Sequence, residues 1–100
     1  MQFTKRLHEP IRAGVVTCSV RVWQRLHVTE GGAYRLGAGP GYIVVDSIIE
    51  LEEQEITDDL AVESGFEDVR DLMKIARHGR GKHIYLIRFH YVDGDLGQLR

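Results

Sequence analysis

Thr17-Cys18-Ser19-Val20-Arg21-Val22-Trp23 decides how this chain is read. Threonine, serine, arginine and tryptophan alternate strictly with cysteine and two valines. A period of two is that of a β-strand, whose successive side chains point to opposite faces. Residues 18, 20 and 22 then form an apolar face against a core. Residues 17, 19, 21 and 23 carry hydroxyls, a guanidinium and an indole on the other face, about 7 Å apart along the strand. Such groups bind phosphates, read base edges and stack on bases. Thr17, Ser19, Arg21 and Trp23 are therefore the first candidate binding residues.

Upstream of this strand, Phe3, Leu7 and Ile11 recur at every fourth position and predict a short helix over residues 3–13, interrupted at Pro10. Downstream, a loop at 29–32 leads to a short strand over residues 33–36. A glycine-rich turn at 37–41 follows, and then a long strand over 42–51 that is rich in β-branched side chains. These glycines open a strand and not a helix, so they predict no phosphate-binding loop. Thr57 is a natural N-cap for a helix running to about residue 62, with Asp58 and Asp59 at its positive end. Ser64-Gly65-Phe66-Glu67 has capping-box spacing and predicts the start of a second helix. Phe66, Val69, Leu72, Met73 and Ala76 make its apolar stripe, and Gly79 is its stop. Residues 83–92 read as the last strand.

This order predicts an α+β domain: a small, mostly antiparallel β-barrel, curled or closed, with short helices covering one opening. Residues 1–92 make the single domain and residues 93–100 a polar C-terminal tail. One hundred residues leave room for one modest core and one cleft. No apolar run approaches the ~18 residues of a membrane span, and the first residues lack the apolar stretch of a secretory signal. The single cysteine, Cys18, rules out an internal disulfide. A reducing, cytoplasmic setting follows as the expectation.

Charge is segregated. Residues 1–45 hold six Lys and Arg against two acids, residues 46–71 hold eleven acids against Arg70, and residues 72–100 hold six basic groups against two acids. Basic thirds that meet in space would form a positive surface concealed by the net charge of −2. The acidic 46–71 segment, with Glu52, Glu53 and Glu55, either coats a solvated side or meets a basic protein partner.

Two further constellations carry chemistry. Glu63 lies at the junction of the two predicted helices, where a carboxylate folded over the barrel mouth would accept a hydrogen bond from a base amino group or move a proton. Arg77, Arg80 and Lys82 surround flexible glycines in a loop suited to a phosphate backbone. The five histidines have no paired spacing and no partnering cysteines, so neither a metal nor a cofactor is expected. Cys18 points to the core side of its strand and reads as an inert thiol. Ser19 lies in no Gly-x-Ser-x-Gly elbow.

Residues 11–21, Ile11-Arg12-Ala13-Gly14-Val15-Val16-Thr17-Cys18-Ser19-Val20-Arg21, together with Glu63-Ser64-Gly65-Phe66 and Ile84-Tyr85-Leu86-Ile87-Arg88-Phe89, resemble the ASCH domain family of the PUA-like superfamily. The likeness spans about residues 3–92. It implies a PUA-like barrel with a cleft between barrel and helices, and a role with RNA or nucleosides. One bacterial branch of that family hydrolyses acetylcytidine with a lysine, a threonine and a glutamate. Carried over by position, the threonine falls on Ser19 and the glutamate on Glu63, which makes these two the candidate catalytic pair. The lysine falls on Val16, a side chain that can neither activate a nucleophile nor stabilise an oxyanion. The first expectation is thus an RNA-, nucleotide- or nucleoside-binding domain. A hydrolase of RNA or acylated cytidine comes second, and a protein-interaction module third.

Overall fold

The computed structural model describes residues 1–37, 40–76 and 81–94. Four strands, β1 (Cys18–Trp23), β2 (Ala33–Arg35), β3 (Tyr42–Leu51) and β4 (His83–Val92), form one curled antiparallel sheet in the order β1-β4-β3-β2. The sheet stays open as a half-barrel, with β1 and β2 at its edges. Among the described residues three α-helices accompany it: α1 (His8–Arg12), α2 (Asp58–Glu63) and α3 (Val69–Ala76).

Both faces of the sheet are packed. Cys18, Val20 and Val22 stand with Ile84 and Leu86 against Ile56, Ala61 and Leu72 from the α2–α3 region. On the opposite face Ile43, Val45, Ile87 and Phe89 meet Leu7 and Ile11 from the N-terminal helical segment, with Val16, Val28 and Leu36. The face expected to be polar is therefore covered as well. Phe66 packs against both clusters.

The N-terminal helix begins with a 3-10 turn at Lys5–Leu7 and continues as α1. Pro10 is accommodated in the first turn of α1, where its missing N–H would have had no intrahelical acceptor. Thr57 caps α2 as expected, its Oγ1 accepting from the Leu60 N–H at 3.2 Å. The expected capping box at Ser64 is corrected. Ser64 ends α2, and its hydroxyl turns back to the carbonyls of Leu60 and Ala61 at 3.0 Å. Gly65 then takes φ +97°, and the Phe66 N–H returns to the Ala61 carbonyl, as in a helix stop closed by a left-handed residue. A Cβ on Gly65 would stand 2.5 Å from Leu7 Cδ2, so this turn needs glycine twice over. Helix α3 starts later, where Asp68 Oδ1 accepts from the Asp71 N–H and Asp58 Oδ1 from the Val69 N–H. Its expected stop, Gly79, lies outside the described residues.

One irregularity shapes the sheet. Val45 pairs with Phe89 and Ser47 with Arg88, leaving Asp46 as a bulge in β3. Bulges bend a strand and increase its twist. Asp46 is held by His90, with Oδ1 2.8 Å from Nδ1.

Candidate functional site

Among the described strands β1 lies at the sheet edge, paired with β4, and it borders a cavity of about 180 Å³. Gln2, Phe3 and Thr4 wall it on one side, Ser19, Arg21 and Trp23 on another, and Phe66, Ile75 and Ala76 on a third. The cleft thus lies between sheet edge, N-terminal segment and helix α3.

Arg21 is its centre. The Nε donates to Ser19 Oγ at 2.7 Å, and Nη2 donates to the Gln2 carbonyl. The guanidinium carbon sits 4.9 Å from the centroid of the Phe3 ring and 5.9 Å from that of Trp23. Stacking between rings suits a guanidinium, which is planar and weakly hydrated. Desolvation pulls its pKa down to about 10. It remains a cation at neutral pH, and no carboxylate among the described residues pairs with it. Ser19 is only 9% exposed. Thr4 Oγ1, in the same wall, is buried without a hydrogen-bond partner. A cation lacking an anion and a hydroxyl lacking a partner share one small space.

The remaining candidates distribute differently. Trp23 lines the cavity and meets the His27 ring edge-on at 4.8 Å. Thr17 precedes β1, and its backbone carbonyl accepts from Phe89 N–H at 2.9 Å; it is not among the cavity residues. Lys82 lines a separate depression with Glu50, Glu52 and Glu53. Arg77 and Arg80 lie outside the described residues. Glu63 is the main correction. Its Oε1 takes the Arg88 Nη1 at 3.1 Å, and Arg88 pairs across the ladder with Cys18, on the face covered by α2 and α3. The carboxylate therefore does not line the Arg21 cavity.

Val16, the position of the expected lysine, is buried in the core beside Leu7 and Ile11. Burial pushes the Cys18 thiol up to about 11, with the Glu63 charge adding to the effect. No group of histidine, cysteine and acidic side chains among the described residues could hold a metal ion. No described helix is long and apolar enough to cross a membrane.

Sequence reasoning missed Gln2, Phe3 and Thr4. The periodicity places Phe3 in a helical stripe with Leu7 and Ile11, and it does pack inward, edge-on to Phe89 at 5.5 Å. The segment is extended before the 3-10 turn, with Thr4 at φ −60° and ψ 147°, and so lies alongside β1. The acidic 46–71 segment is largely spent on local structure. Glu52 and Glu55 cap one turn, Asp58, Asp68 and Asp71 cap α3, and Glu50, Asp46 and Glu63 pair with His83, His90 and Arg88.

No protein-family model, curated protein or solved structure matches this chain.

Proposed function

We propose that this chain binds RNA or a nucleotide through the cavity beside β1. The observation that carries the reading is Arg21, a desolvated cation between two rings with no acid among the described residues to neutralise it. Withdrawing a charge from water is costly unless a counter-charge compensates. An anionic oxygen arriving beside Arg21 supplies that compensation. Ser19 and Thr4 offer hydroxyls to the same ligand, and Trp23 offers a face on which a base can stack. The resemblance to ASCH domains supports the same reading, with the half-barrel taken as a PUA-like barrel left open on one side.

The hydrolase alternative finds less support. The described residues lining the cavity include no lysine, histidine or carboxylate to serve Ser19 as a base.

Trp23 is the only tryptophan, so its fluorescence reports directly on the cavity. Titration with short single-stranded RNA and with mononucleotides at low salt gives saturable, salt-weakened binding under this proposal. Arg21→Gln weakens it about 10- to 100-fold, as expected for the loss of a charge-assisted hydrogen bond. Absence of binding to both ligand types at low salt overturns the reading.

A further inference from the structure

β3 has ten residues and β2 only three, so β2 cannot cover the whole outer edge of its neighbour. It pairs with residues 42–44, and the turn before it adds Gly31 and Gly32, bonded to Val45 at 2.7 and 2.9 Å. Beyond the Asp46 bulge β3 continues to pair with β4 through residues 47–51. No described strand lies along its outer edge there.

In an antiparallel sheet one residue turns both backbone groups to one neighbour, and the next residue turns them to the other. The Ile48 N–H points outward, where Glu30 Oε2 accepts it at 2.9 Å. Glu50, two residues on, turns its N–H and carbonyl to the same side. Among the described residues neither group has a hydrogen-bond partner. A side-chain carboxylate thus stands where the carbonyl of a fifth strand would stand, and the next rung is open.

Apolar surface is uncovered on both faces of this rung. On one face Leu26, Val28, Ile48 and Tyr85 wall a concavity of about 500 Å³. On the other Ile49, opposite Leu86, is 51% exposed. An added strand sends alternate side chains to the two faces and so covers both at once.

Charge selects the strand. The charged residues lining the concavity are Glu30 and Glu50, and every charged residue from position 46 to 55 is acidic. A second copy of this edge would bring acid onto acid, and RNA would bring phosphates. A lysine or arginine placed opposite Glu50 is instead an attractive cross-strand pair.

Independently of the Arg21 cavity, we infer that the outer edge of β3 at residues 48–50 is a docking site for an extended peptide segment of another protein, in which apolar residues flank a basic one.

The test uses the capped heptapeptide SVKVVKS and its acidic counterpart SVEVVES. Hydrogen exchange at the Glu50 amide, followed by NMR, reads the open rung directly. At a concentration about nine times its dissociation constant, SVKVVKS slows that exchange about tenfold, because only the free fraction exchanges. SVEVVES binds at least about fivefold more weakly, the worth of a cross-strand charge pair. Glu50→Lys reverses the order of the two peptides. Binding that leaves the Glu50 amide exchanging as before overturns the assignment to this edge. Equal binding of the two peptides overturns the basic partner. Slowing that needs only a higher protein concentration gives the edge to a second copy, and slowing by short single-stranded RNA gives it to nucleic acid; either overturns the inference. So does the absence of binding up to millimolar peptide.

Discussion

Two arginines on neighbouring strands have opposite circumstances. Arg88, on β4, ion-pairs with Glu63 at 3.1 Å, both side chains are nearly half exposed, and the hydrogen bond to the carboxylate raises its pKa. Arg21, on β1, is half-buried against rings, donates to a hydroxyl and a carbonyl, and has its pKa lowered by lost hydration. The first is an ordinary surface pair that finishes the helix-covered face. The second is an electrostatic debt of the folded state. A folded chain keeps such a desolvated cation at a cost, and the anion proposed above would relieve it.

The largest expected effects test whether the two faces beneath these arginines are equally solid. Ile87 pairs with Ser19 on the Arg21 side, and Leu72 reaches the opposite face from α3; both are fully buried. Ile87→Ala and Leu72→Ala should each cost about 2–5 kcal/mol in urea unfolding, through lost burial and the cavity left behind. A cost well below that at Ile87 alone would mean that the Arg21 side is loosely packed and poorly suited to position a ligand.

Next comes a direct exchange of the arginines for methionine. Arg88→Met should lower stability by about 0.2–1 kcal/mol, the range for an exposed ion pair. Arg21→Met should leave stability unchanged or raise it, because a desolvated charge is replaced by an apolar chain in an apolar setting. A loss at Arg21 larger than at Arg88 would contradict the contrast.

The pH dependence follows from the sign of the shift. Below about pH 10 Arg21 is protonated in both states, so its desolvation cost is constant. Between there and its ordinary value the unfolded chain holds more protons, and stability contributed by this position rises with pH. The wild-type minus Arg21→Met difference in unfolding midpoint, measured at pH 9 and pH 11, should narrow at the higher pH.

Arg6 offers a third, milder case. It pairs with Asp71 at 3.1 Å and lies over the Phe66 ring. The Glu67 backbone N–H, followed by Arg6, lowers the Asp71 pKa. That contribution is present above the ordinary carboxylate pKa of about 4 and is lost as pH falls through the folded value. The unfolding midpoints of wild type and Asp71→Asn should therefore converge in acid.

The smallest effect concerns Cys18, whose buried thiol and pKa near 11 predict slow modification by a disulfide reagent until the chain is unfolded.

Much of the sheet was legible because period two is a local signal. The alternation at 17–23, the β-branched run at 42–51 and the apolar run at 83–92 each became a strand within a residue of expectation. Helix α3 was misplaced because Ser64 and Glu67 have cap spacing but Ser64 bonds backwards, leaving Asp68 to cap. Spacing cannot distinguish a hydroxyl that ends one helix from one that begins the next. Arg21, Ser19 and Trp23 were found from the strand alone. Their partners Gln2, Phe3 and Thr4 were not, since contact between an extended N-terminal segment and a sheet edge leaves no periodic trace. Glu63 misled for the opposite reason: an acid at a helix end has no local mark that tells a ligand contact from an ion pair with Arg88.

Asp46, the bulged residue, has one more consequence. Because Ser47 already faces Arg88 as the next partner after Val45 faces Phe89, position 46 is supernumerary to the ladder. A chain lacking it would keep every remaining β3 side chain on its present face, whereas loss of a residue farther along the strand would turn the residues between that point and position 46 to the opposite face. What the shortened chain would give up is curvature, and with it the bend that lets a four-stranded ribbon begin to enclose anything.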